Sequence, residues 1–127
     1  MDIFGIGTDL IEVERIKNAI ESHPRFLKKI YTEKEIEFCE SKKANRFQSY
    51  ASRFAGKEAI AKSLHQGLGK FLFFNEIEIL DNEYGYPQAM LFGSSYFYYL
   101  SNSITDIKIT LSSTRIFCAA YAVSLVK

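Results

Sequence analysis

Apolar residues change period several times along this chain, and each change predicts an element. Residues 2–8 (DIFGIGT) form a short apolar run with two glycines, a strand that another backbone approaches closely. Leu10, Val13, Ile16 and Ile20 then recur at steps of three and four, which predicts a helix to about Glu21. SHP at 22–24 breaks it. Thr32 and Glu35 make a T-x-x-E capping box ahead of Ile36 and Phe38, the start of a short helix. The longest helical pattern runs from about Asn45 to Leu64 and stops at Gly67 and Gly69. In residues 75–92, Glu76, Ile77, Glu78 and Ile79 alternate as a strand, 82–87 form a turn, and a second strand follows. Residues 94–102 (SSYFYYLSN) read as a short helix with serine at its N-cap. IKITL and FCAAYAVSLV close the chain as two strands around SSTR.

No repeat, low-complexity stretch or Pro/Gly-rich linker divides the sequence. Its 127 residues are enough to close one core. The expectation is a single domain over 1–127, of α+β class, with an antiparallel sheet packed against one long and several short helices.

Composition narrows the function. A net charge of +1 excludes a generally basic nucleic-acid binder, and no window holds the 18 apolar residues that a membrane-spanning helix needs. The start MDIFGIGTDL has an acid at position 2 and no basic region, so it does not read as a signal peptide. Cys39 and Cys118 form no CxxC pattern and read as buried or free thiols of a cytoplasmic protein. Eight tyrosines and eleven phenylalanines make the core or an interface aromatic-heavy.

The unusual chemistry lies in FAGKEAIAK (54–62). On a helical projection Phe47, Ala51, Phe54 and Ala61 share one face, and Glu58 falls near the middle of that stripe. A carboxylate there is costly to bury unless it is paired or bound to a cation. Arg53 and Lys57 stack on the neighbouring face, and Lys62 lies four residues beyond Glu58. The plain alternative is a surface Glu58–Lys62 ion pair worth a few tenths of a kcal/mol. A second acid, Asp9, ends the first strand, where its own plain role is the N-cap of the next helix. Together, Asp9 and Glu58 with nearby Arg and Lys are a donor set for Mg²⁺ against phosphate oxygens, since Mg²⁺ takes one or two carboxylates, waters and substrate phosphates.

GIGTDLIEVERI (5–16) followed by RFAGKEAIAKSL (53–64) resembles the holo-[acyl-carrier-protein] synthase family, the small 4′-phosphopantetheinyl transferases. The family's G-x-D reads Gly7-Thr8-Asp9 here, and its F/W-x-x-K-E-x-x-x-K helix reads Phe54 to Lys62 through Lys57 and Glu58. The YGYP turn is similar to the family's G-x-P, at Gly85 and Pro87. The resemblance implies transfer of the phosphopantetheine arm of coenzyme A to a serine of apo acyl carrier protein, for fatty acid biosynthesis, with release of adenosine 3′,5′-bisphosphate. It implies Asp9 and Glu58 as ligands of Mg²⁺, and Glu58 or a metal-bound water as base. Lys57 and Lys62 would stabilise phosphoryl charge, and Arg53, Gly85 and Pro87 would contact coenzyme A. A non-catalytic coenzyme A or nucleotide binder of the same fold is the alternative.

One departure stands out. The family carries S-x-S-H-S/T in its penultimate strand, whereas here Ser113 stands at the His position, followed by Thr114. Both hydroxyls suit a phosphate hydrogen bond. For the acidic carrier protein, Arg15 with Arg25 and Lys28 form the expected basic face, with Phe26 and Leu27 as its apolar centre. The resemblance also implies a homotrimer with active sites at subunit interfaces.

Overall fold

The first strand is longer than its apolar run suggested. In the computed structural model, which describes residues 1–127, β1 spans Asp2–Glu12. It is followed by α1 (Val13–Ser22), α2 (Phe26–Ile30), α3 (Glu33–Glu40) and α4 (Arg46–Ser63). The chain then forms β2 (Ile77–Asp81), β3 (Pro87–Leu91), α5 (Gly93–Ser101), β4 (Ile104–Ser113) and β5 (Phe117–Val126). The class is α+β, and every strand pair is antiparallel. The strands form two sheets, one of three strands in the order β1-β5-β4 and a β2-β3 hairpin. No helix is long and apolar enough to cross a membrane. Cys39 and Cys118 are buried free thiols.

Strand alternation explains the extension of β1. Gly5, Gly7, Asp9 and Ile11 point to one face, and Ile6, Thr8 and Leu10 to the other. Leu10 satisfied the helical spacing by coincidence: it is 66% exposed on the outer face of the sheet, and α1 begins only at Val13. Asp9 therefore lies inside β1, opposite Ala120, and does not cap α1.

α4 lies across the inner face of the three-stranded sheet. Many of its buried residues are small, Ala51, Ala55, Gly56, Ala59 and Ala61 among them, so neighbouring backbones come close, while Tyr50 and Ile60 fill the core beside them. At Gly5 and Gly7 the approach is tightest. A Cβ at Gly5 would stand 2.0 Å from the Ser63 carbonyl oxygen, and one at Gly7 2.0 Å from that of Ala59. Only a residue without a side chain lets the strand lie on the helix in this way. A bulge at Phe4 shifts the register of the pairing, and His65 Nε2 bonds the Phe4 carbonyl at 2.9 Å.

The capping box ahead of α3 is present with both of its hydrogen bonds. The start of α5 differs from expectation. Phe92 occupies the N-cap and no serine caps the helix; instead the Glu76 carboxylate accepts from the Ser95 amide at 2.9 Å and from that of Ser94 at 3.3 Å. It also accepts from both serine hydroxyls.

Candidate active site

The flat contact between β1 and α4 places Asp9 beside the exposed edge of the helix. Lys62 Nζ bonds the Thr8 carbonyl at 2.8 Å and lies 3.3 Å from Asp9 Oδ1. Glu58, one turn earlier on α4, is half-buried. None of the chain's four ion pairs involves it, so the Glu58–Lys62 surface pair that spacing alone allowed is not formed. Burial pushes the Glu58 carboxyl above the usual glutamate range, and the nearby Asp9 charge adds to this while Lys62 opposes it. Two carboxylates and one ammonium are thus gathered on two rigid elements.

This donor set fits a hard divalent cation. Two carboxylates of like charge, one of them raised in pKa by burial and then by the other's charge, are relieved by a cation between them. No third His, Cys, Asp or Glu completes a closed cage. An open set of two carboxylates suits Mg²⁺, which keeps waters and takes substrate phosphates, and does not suit structural Zn²⁺.

Lys57 corrects an expectation. It is 0% exposed, and its Nζ is surrounded by Glu35 Oε1 at 2.6 Å and the carbonyls of Ile30 at 2.7 Å and Phe74 at 2.8 Å. An ammonium has three N–H groups, and all three are used, so none remains for a phosphate. Glu35, also 0% exposed, accepts further from the amides of Thr32 and Ile79. Burial pushes Lys57 down and Glu35 up, each opposed by its partner's charge. Three donors on the carboxylate and three acceptors on the ammonium keep the pair ionic. The capping box signalled the place of Glu35 on α3; nothing along the chain linked it to Lys57.

Arg53 is nearly buried. Its guanidinium bonds Asp81 Oδ1 at 3.0 Å and lies over the Phe38 ring at 4.5 Å, while its Nε has no partner. It borders a small pocket with Lys42, Gln48 and Ser113. Gln48 Nε2 donates to Ser113 Oγ at 3.1 Å and to the Thr114 carbonyl at 2.8 Å. The Thr114 hydroxyl instead accepts from the Ile116 and Phe117 amides, which holds the β4–β5 turn. In the β2–β3 turn, Gly85 has φ of +84°, which favours glycine, and the Asn82 side chain accepts from the amides of Tyr84 and Tyr86. Pro87, Tyr86 and Asn82 border a cleft of about 630 Å³ between β3 and β4.

These groups do not all meet in one chain. Arg53 and Glu58 are five residues apart on α4, or about 140° around it and about 7.5 Å along it. Asp9, Glu58 and Lys62 form one group, a candidate half-site; Arg53, Ser113 and the 82–87 turn lie around another face and form a second. Arg15, Arg25 and Lys28 are exposed, as a docking face requires. Phe26 and Leu27 are not its apolar centre: both are partly buried against the core, with the Phe26 ring 6.2 Å from Tyr31 and 6.4 Å from Phe54.

Comparison with known proteins shows the family and the fold. Residues 5–125 match the family model of the 4′-phosphopantetheinyl transferase superfamily. A holo-[acyl-carrier-protein] synthase of Ruminiclostridium cellulolyticum is 49% identical over 119 residues, covering 93% of this chain and 89% of that one. The crystal structure of a holo-ACP synthase from Plasmodium yoelii superposes with a TM-score of 0.87 at 30% identity, covering 99% of this chain and 97% of that one. That of a Bacillus anthracis holo-(acyl-carrier-protein) synthase, in complex with CoA (3′,5′-ADP), gives 0.82 at 28% identity and covers 98% of each chain.

Proposed function

Because the chain belongs to the 4′-phosphopantetheinyl transferase superfamily, and within it to the holo-[acyl-carrier-protein] synthases, we propose that it transfers phosphopantetheine from coenzyme A to a serine of apo acyl carrier protein through Mg²⁺ held by Asp9 and Glu58. The observation that carries this is the meeting of Asp9, Glu58 and Lys62 where β1 lies on α4. In the transfer the serine oxygen bonds to the phosphorus bearing the pantetheine arm. The pyrophosphate P–O bond breaks, and adenosine 3′,5′-bisphosphate leaves. When bound, Mg²⁺ supplies positive charge to the pyrophosphate oxygens.

The side chains have distinct tasks. Asp9 and Glu58 hold the cation from two elements, and the half-exposed Lys62 directs its ammonium to the same place, against charge on the phosphoryl oxygens and leaving group. Neither histidine stands at the pair: His23 follows α1, and His65 bonds Phe4. Glu58 is therefore the group this chain offers to accept the serine proton. Arg53, with its unpartnered Nε, and Ser113 border a pocket suited to a phosphate of coenzyme A. The 82–87 turn borders the neighbouring cleft through Asn82, Tyr86 and Pro87, and Gly85 shapes the turn. Arg15, Arg25 and Lys28 offer positive charge to the acidic carrier protein.

The working unit is a homotrimer with the site between subunits. Two features support it: the two half-sites lie on different faces of α4, and the outer sheet face leaves Ile6, Leu10, Phe117 and Tyr121 exposed. The test of function is the intact mass of an apo acyl carrier protein after incubation with the enzyme, coenzyme A and Mg²⁺. A phosphopantetheine-sized gain with equimolar adenosine 3′,5′-bisphosphate, absent with EDTA, is the expected result. No gain from a folded sample that binds coenzyme A would make the chain a binder only.

A further inference from the structure

We propose that the buried pair Glu35–Lys57, by tying α4 to three other segments, helps hold its rotation so that Glu58 faces Asp9, which makes both of them positioning residues for the metal pair. This rests on Asp9 and Glu58 holding the metal.

Lys57 immediately precedes Glu58, so whatever fixes one along the helix fixes the other. Alongside Ala51, Ala55, Gly56, Ala59 and Ala61, α4 buries Tyr50 and Ile60 and packs Phe54 between Phe26 and Phe74. The Lys57 ammonium adds a directional tie that these apolar contacts do not supply. Its three acceptors come from three separate segments: the end of α2 at Ile30, α3 at Glu35, and the turn before β2 at Phe74. Glu35 in turn holds the Ile79 amide of β2 at 2.8 Å and the Thr32 amide at 3.0 Å. Thr32 Oγ1 donates to Glu78 Oε2 at 2.6 Å, which closes the network.

The geometry is demanding where it matters. A rotation of α4 by about 20° carries a side-chain end at its outer radius of ~5–6 Å through about 2 Å. Metal–oxygen distances tolerate about a tenth of that. On the opposite side β1 touches α4 through Gly5 and Gly7, a smooth contact that fixes the distance of Asp9 but resists rotation little. The glycines set the distance, and the ion pair adds to the apolar packing of Tyr50, Phe54 and Ile60 in fixing the azimuth.

A role in stability alone does not account for the pair. Apolar residues of similar volume commonly replace a buried ion pair without loss of stability, whereas removal of one partner is costly. The test therefore compares four proteins: wild type, Asp9→Asn, the apolar double variant Glu35→Leu/Lys57→Met, and Lys57→Met, which removes the three-way tie and leaves Glu35 its two backbone donors. Each is measured by thermal melting, by Mn²⁺ binding (Mn²⁺ alone, followed by electron paramagnetic resonance), and by kcat and KM for the carrier protein. The double variant is expected to melt cooperatively yet bind Mn²⁺ about tenfold more weakly, the size of loss seen when an outer-shell partner of a ligand is removed. Its kcat falls in step, with KM for the carrier protein within about twofold of wild type. A folded double variant that binds Mn²⁺ and turns over as wild type does overturns the proposal. Should it fail to melt cooperatively, Lys57→Met decides: Mn²⁺ affinity equal to wild type overturns the proposal, and weaker affinity in a folded protein upholds it. Asp9→Asn separates the two layers, since unchanged Mn²⁺ binding there overturns the metal pair itself.

Discussion

Glu58 sits at an energetic disadvantage in the free chain. Burial and the charge of Asp9 raise its pKa, so folding favours its protonated form. The sign follows: stability from the protonated carboxyl is present below the ordinary glutamate value of 4.5 and is lost as pH rises through the higher folded value. At pH 7 the ionised group therefore costs stability, and Glu58→Gln is expected to raise Tm in metal-free buffer while lowering kcat by about 100-fold or more. Calorimetry with EDTA, paired with steady-state assays, checks both. A lower Tm together with wild-type kcat would count against the role given to Glu58. Lys57 shows the limit of reading charge along one helix. Spacing at i and i+4 places it beside Arg53, but its acceptors come from α2, α3 and the turn before β2, brought near only by folding.

At the scale of elements, β1 and α4 build the site, and glycine makes their contact possible. Gly7→Ala gains a little in chain entropy but places a Cβ 2.0 Å from the Ala59 carbonyl oxygen, and that oxygen belongs to backbone which must move. A loss of about 1–3 kcal/mol is expected from denaturant unfolding, with weaker divalent-ion binding as Asp9 is pushed away. The α5 cap gives an independent test. Burial works against ionisation of Glu76, but the hydrogen bonds from Ser95 and Ser94 outweigh it and hold its pKa below 4.5. Its contribution is present above pH 4.5 and disappears as pH falls through the lower folded value. Glu76→Gln should thus lower Tm at pH 7, by an amount equivalent to about 1 kcal/mol, and the difference from wild type should shrink in acid. A constant difference across pH would contradict the cap. Much of this layer was legible. The 45–64 helix, the hairpin and the T-x-x-E box follow from local period and turn chemistry. The extension of β1 and the Glu76 cap were not, because Leu10 fits both periods and Glu76 lies seventeen residues before the start of α5 at Gly93.

At the scale of the whole molecule, one chain presents two half-sites and an uncovered apolar sheet. Ile6, at 70% exposure, and Tyr121, at 57%, lie on the same outer face across β1 and β5. Ile6→Asp or Tyr121→Asp places a charge in the proposed interface, and sedimentation should show monomer where wild type sediments as trimer, with turnover lost while the fold is kept. Wild type that sediments as monomer at full activity would sink the interface site. The sequence patterns left this level open, since alternation marks Ile6 and Tyr121 as sharing a face without saying what covers it.

The central claim, one Mg²⁺ shared by two carboxylates from two elements, is tested most directly by initial transfer rate against Mg²⁺ concentration for wild type, Asp9→Asn and Glu58→Gln. The expected result is no turnover of wild type in EDTA, recovery on adding Mg²⁺, and half-activation in each variant only at much higher Mg²⁺ with a lower plateau. Wild type that transfers at full rate in EDTA, or variants with the wild-type Mg²⁺ dependence, would contradict it.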